Sequence, residues 1–161
     1  MNRALASGWL LAGSVLLAVL ITLLPLPDAL AALRPYWLAL VVAYWVLQAP
    51  ERAGLGFAFC CGLAADMAHG ALLGEQALRM VILAFLLDRF RTRLRFFPVW
   101  QQALAILALL FNDVVVAAVV HLMLGLAAPD PLRWLSPLAG ALMWGPLYVL
   151  LDALRLRRRR G

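Results

Sequence analysis

Apolar residues run along this chain in long blocks broken by short polar interruptions. The blocks predict helices over approximately 8–24, 30–49, 54–73, 76–90, 98–124 and 137–154. Pro25 and Pro27 close the first, and Asp28 is placed to cap the second. Arg34-Pro35 interrupts the second block, so its strictly apolar part, Tyr36 to Leu47, is short for a membrane crossing and is expected to tilt or kink. Gln48 to Arg52 reads as a polar hinge, Gly74-Glu75 as a tight turn, and Ala127 to Ser136 as a loop. No soluble domain, linker or low-complexity segment stands out, so residues 1–161 read as one transmembrane helical domain.

Composition decides the solvent. The chain has 161 residues, 66% of them apolar, with a mean hydropathy of +0.93. One small core cannot hide that much apolar surface, whereas a bilayer can accept it. The first apolar run, Ala4 to Leu24, exceeds the length of a signal-peptide core and is expected to be a retained span.

All 14 basic residues are arginines, and the net charge is +6. They lie between apolar runs, where a membrane protein places topology signals, which excludes nucleic acid as the expected partner. With six spans and a cytoplasmic N-terminus, eleven arginines fall on the cytoplasmic side. Only Arg34, Arg79 and Arg133 fall outside. The expected architecture is therefore all-α, six-spanning, with both ends inside. Trp37, Trp45, Trp100, Trp134 and Tyr36 lie near predicted helix ends, where interfacial aromatics gather.

In DRFRTRLRFF, Arg89 and Arg93 are four residues apart, as are Arg91 and Arg95. This suits a helical extension along the cytoplasmic membrane surface, each arginine gaining about 1 kcal/mol from anionic lipids. A docking surface for a cytoplasmic partner is the sharper reading of the same stretch.

Candidate chemistry centres on Asp66. Counting in fours gives Gly54, Ala58, Gly62, Asp66, Gly70 and Gly74, a ridge of small residues along one helix face. Such ridges let helix backbones approach closely, so Asp66 is expected to face protein, either its own bundle or a partner. Its cost at the bilayer centre is roughly 2.5–3.5 kcal/mol. His69, three residues on, is placed to pair with it. Asn112, Asp113 and His121 add polar groups to the fifth helix. An interhelical hydrogen-bond network accounts best for all five; a proton relay or small-molecule site is the alternative. Cys60 and Cys61 are adjacent, and no metal-ligand spacing occurs. The hydroxyls are few (Ser7, Ser14, Ser136, Thr22 and Thr92), and no nucleophile motif or phosphate loop is present. No catalytic, cofactor or metal site is expected.

Residues 34–78 and RLRFFPVWQQA, 93–103, resemble the MreD family of bacterial rod shape-determining membrane proteins. The resemblance rests on Arg34-Pro35-x-Trp37, Tyr44-Trp45, the Gly54/Gly62/Asp66/Gly70 ridge, Leu73-Gly74, and Phe97-Pro98-x-Trp100-Gln101-Gln102. Relatives often carry a histidine after the Leu-Gly turn, where this chain has Gln76. The resemblance implies a multi-pass inner-membrane protein, a non-enzymatic scaffold of the elongation machinery (elongasome) of peptidoglycan biosynthesis. Implied partners are MreC and MreB, with RodA and a class B penicillin-binding transpeptidase in the same assembly. It also implies a fold similar to the substrate-binding membrane subunits of vitamin transporters, and hence a small-molecule-binding alternative. Phe97, Pro98, Trp100, Gln101 and Gln102 are then a second candidate contact, at the cytoplasmic interface.

Overall fold

A computed structural model describes residues 2–24, 35–70, 73–127 and 130–160. Six α-helices account for most of them: α1 (Asn2–Leu23), α2 (Trp37–Gln48), α3 (Leu55–His69), α4 (Glu75–Leu94), α5 (Val99–Met123) and α6 (Ser136–Arg160). A 3-10 turn, Pro131–Leu135, leads into α6. No strand occurs among the described residues.

The six expected helices are present, with shifted ends. The third stops at His69 rather than Leu73, because Gly70 turns left-handed (φ 60) and terminates it. The fourth absorbs the arginine-rich stretch and continues to Leu94. The sixth runs through the arginine tail to Arg160. The start expected for the second helix, 30–34, and the capping Asp28 lie outside the described residues.

The shortest helix is the central one. Every residue of α2 from Leu38 to Leu47 is buried, as a helix apolar on all faces should be. It packs against α1, α4 and α6, while α3 pairs with α4 and α5 with α6. Trp45, expected at an interface, is instead in the core, where its Nε1 donates to Ser14 Oγ at 2.8 Å. Tyr44 meets Trp45 and Tyr148 edge-on.

The far end of α2 is tied to α6 by side chains. Gln48 Nε2 donates to the Tyr148 hydroxyl at 2.9 Å. Arg155 donates to the Gln48 side-chain oxygen at 2.9 Å and to its backbone carbonyl at 3.0 Å, satisfying an orphan acceptor at the helix end.

Among the described residues, two segments are long and apolar enough to cross a membrane, Val99–Met123 and Pro131–Arg157. The apolar helices Gly8–Leu23, Trp37–Gln48 and Leu55–His69 are shorter. A central helix can be short: its backbone is satisfied internally and its sides face protein, so lipid thickness does not set its length.

Candidate functional site

The turn between α3 and α4 begins the site. Gly74, the residue preceding α4, adopts φ 101 and offers no capping side chain. The first N–H groups of α4 therefore need another acceptor, and Asp66 supplies it from the neighbouring helix. Its Oδ2 accepts from Gly74 N at 2.8 Å and Ala77 N at 3.3 Å, and its Oδ1 accepts from Gln76 N at 2.9 Å. A carboxylate at a helix N-terminus is also favoured by the helix dipole. Asp66 is 1% exposed.

Close approach makes this reach possible. A Cβ on Gly62 would lie 2.6 Å from the Gln76 carbonyl oxygen and 2.7 Å from Ala77 N, so only glycine fits there. Ala58, Gly62 and Asp66 are buried, whereas Gly54 and Gly70 are exposed and a Cβ on either would meet nothing within 4 Å. The inner three members of the small-residue ridge thus turn into the bundle. Gly70 and Gly74 act as left-handed turn residues.

A second carboxylate is also buried. Asp113, 4% exposed, takes a two-pronged contact from Arg79: Nε donates to Oδ1 at 3.0 Å and Nη2 to Oδ2. Arg79 also lies over the Tyr36 ring, 5.2 Å from its centroid. The Tyr36 hydroxyl donates to Gln76 Oε1. Glu75 completes the cluster. Its Oε1 is 3.6 Å from Arg79 Nη1 and its Oε2 is 3.5 Å from His121 Nε2. One connected set of polar contacts therefore joins the start of α2, the end of α3, the first turns of α4 and the second half of α5.

Asp66, Asp113 and His121 belong to this cluster. His69 does not: it is exposed, and its Nδ1 lies 2.8 Å from the Ala65 carbonyl of its own helix. The expected Asp66–His69 pair is absent because the two side chains leave the helix toward different surroundings. Asn112 is half-buried, one residue from Asp113.

Four members are not site candidates by sequence alone: Tyr36, Glu75, Gln76 and Arg79. By sequence Arg79 reads as an outer topology charge, yet it is largely enclosed and paired with Asp113. Its pairing with Asp113 had one visible signal, a lone arginine one turn inside an apolar helix of a chain with an intramembrane Asp. Gln76 had no local signal, since its partner Tyr36 is 40 residues away.

At the opposite end, Arg89, Arg93 and Arg95 are exposed, and Arg91 is half-buried, 3.8 Å from Asp88. Phe97, Pro98 and Trp100 are exposed and Gln101 is half-buried. Gln102 departs from them: it is buried, and its Nε2 donates to the carbonyls of Leu94 and Phe97, both at 3.1 Å, lacing the end of α4 to the start of α5.

The two most buried carboxylates of the site accept hydrogen bonds from within the chain. The family model for the rod shape-determining protein MreD matches residues 3–154. The chain belongs to the MreD family. A curated relative, the rod shape-determining protein MreD of Haemophilus influenzae (strain ATCC 51907 / DSM 11121 / KW20 / Rd), is 29% identical over 139 residues, covering 86% of this chain and 86% of that protein. No solved structure matches. MreD is a family of membrane proteins with a role in cell shape and is not a known enzyme family.

Proposed function

We propose that this MreD-family protein is a non-enzymatic scaffold embedded in the bacterial inner membrane, where it holds together the machinery that elongates the peptidoglycan wall. Its six helices cross the membrane with both ends on the cytoplasmic side. MreC is its direct partner. MreB, RodA and a class B penicillin-binding transpeptidase act in the same assembly.

The observation that carries this reading is the closure of the polar cluster. Every carboxylate in it already has a donor or a charged neighbour inside the chain, so the cluster serves to fix helix positions rather than to react. What remains on the outside is apolar surface and arginine. Phe59, Met67, Phe111 and Leu142 are exposed, and the arginines of α4 stand beside Phe97 and Trp100. Apolar faces suit lipid and partner helices, and the arginines suit the anionic cytoplasmic surface.

The test is photo-crosslinking in native membranes together with depletion. Probes at Phe59 and Met67 on α3, and at Trp100 on α5, are expected to capture MreC or another member of the assembly, and depletion is expected to turn rod cells round. Probes at all three positions that capture lipid alone, in cells that stay rod-shaped on depletion, would refute the scaffold reading.

A further inference from the structure

Resting on the reading above that α4 crosses the membrane with its arginine-rich end inside, we propose that the outward face of α4 binds one anionic phospholipid of the cytoplasmic leaflet. Its fatty chains lie along Leu78, Ile82 and Phe85, and its phosphate sits on Arg89 and Arg93. At 100° per residue these five positions fall within about 80° of one another. Leu78, Phe85, Arg89 and Arg93 are exposed and Ile82 is half-buried. The buried positions of α4, among them Met80, Leu87 and Leu94, occupy the opposite face and turn into the bundle.

The spacing along the helix suits one lipid. From Leu78 to Arg89 the rise is about 17 Å, close to half of the roughly 30 Å of hydrocarbon in a bilayer. Chains of a single leaflet therefore reach from the bilayer middle to the level where the guanidinium groups begin. Contacts with α5 place a second marker at that level. Gln102 Nε2 donates to the Leu94 carbonyl at 3.1 Å, which sets the start of α5 beside the end of α4. Trp100, exposed in the first turn of α5, thus stands near the height of the arginines, where an aromatic meets lipid headgroups.

Charge calls for an anion on this face. Arg89 and Arg93 are four residues apart, and like charges at that spacing repel. Neither has an ion pair among the described residues. Asp88, the nearest carboxylate in sequence, lies 3.8 Å from Arg91, which with Arg95 occupies the other side of the helix. The helix dipole favours cations in this last turn but gives the two guanidinium groups no acceptor. A phosphodiester does, since it is one anion with oxygens for both. An acidic protein segment would supply charge alone and leave Leu78 and Phe85 uncovered.

The probe is phosphatidylglycerol, offered to the full chain in phosphatidylcholine nanodiscs. Native mass spectrometry should show one phosphatidylglycerol retained per chain, and no preference over phosphatidylcholine would overturn the site. Arg89→Gln/Arg93→Gln should weaken retention about fivefold per arginine, roughly 25-fold for the pair. Arg52→Gln/Arg157→Gln removes the same charge from exposed positions elsewhere on the cytoplasmic side and should change retention less than about twofold. Equal losses in the two variants would mean general attraction to a basic protein and refute a discrete site. Displacement of the lipid by inorganic phosphate, which has no chains, would refute it too. So would a photo-crosslinker at Thr92, beside the stripe, that captures protein rather than lipid in native membranes. Membrane placement is read separately from Phe85→Cys in a Cys60→Ala/Cys61→Ala background. Labelling there by an aqueous thiol reagent overturns the span and the site together. Protection without lipid retention overturns the site and leaves the span standing.

Discussion

Replacing Asp66 tests how α3 and α4 are joined. Its carboxylate accepts three backbone N–H bonds, with two donors on Oδ2 and one on Oδ1. In Asp66→Leu all three donors lose their acceptor in a partly buried turn. Each hydrogen bond to a charged group is worth about 1.5–3 kcal/mol, and losing a helix cap alone costs about 0.5–2 kcal/mol. The three share one carboxylate and do not add in full, so a loss of about 3–5 kcal/mol is expected. Asp66→Asn keeps one acceptor oxygen and the side-chain shape. Its amide nitrogen, however, must face a backbone N–H, and the charge at the helix N-terminus disappears. About half the loss, roughly 1.5–3 kcal/mol, should follow. The assay is equilibrium unfolding of purified protein in lipid nanodiscs, with helix content as the readout. Asp66→Leu within 1 kcal/mol of the parent would refute the capping account. An Asn variant as unstable as the Leu variant would shift the weight from hydrogen bonding to the charge itself.

Gly62→Ala should separate α3 from α4, because the added methyl meets backbone rather than a movable side chain; a loss of about 1–3 kcal/mol is expected in the same assay, while Gly54→Ala, with open space around it, should be near neutral. Arg79→Met alone strands Asp113 as a buried anion and should cost about 3–5 kcal/mol. The double variant Arg79→Met/Asp113→Leu should recover much of that loss, and a double variant worse than the sum of the singles would contradict the pairing. Arg155→Ala removes two bonds to Gln48 and should cost about 1–3 kcal/mol, read as a lower Tm.

Much of this arrangement was legible in the sequence because it repeats along the chain. Apolar blocks announced six helices, and spacing by four announced the inward face of α3 around Gly62 and Asp66. Helix ends were less legible. His69 and Leu73 differ in role only because Gly70 takes a left-handed conformation, and nothing in the apolar pattern distinguishes that glycine from its neighbours. Partners were least legible. Asp66 bonds to backbone amides, which no side-chain spacing encodes, and the Tyr36–Gln76 and Arg79–Asp113 contacts join residues 40 and 34 apart. Trp45 shows the same limit in reverse. Its position near a helix end suggested an interface, but the other helices close around it.

The burial of α2 bears on biogenesis. Its 12 residues extend about 18 Å, against roughly 30 Å of hydrocarbon in a bilayer. On the proposed six-span topology it is the helix least able to remain in the membrane on its own, yet α1, α4 and α6 all pack against it. On that topology its stable insertion awaits α4 and α6, the neighbours synthesised after it. A nascent chain arrested when α2 but no later helix has left the ribosome should leave α2 accessible to aqueous thiol labelling at an introduced cysteine, and a chain arrested after α6 has emerged should protect the same position. Labelling that is already blocked at the earlier arrest would mean that α1 alone suffices to retain it.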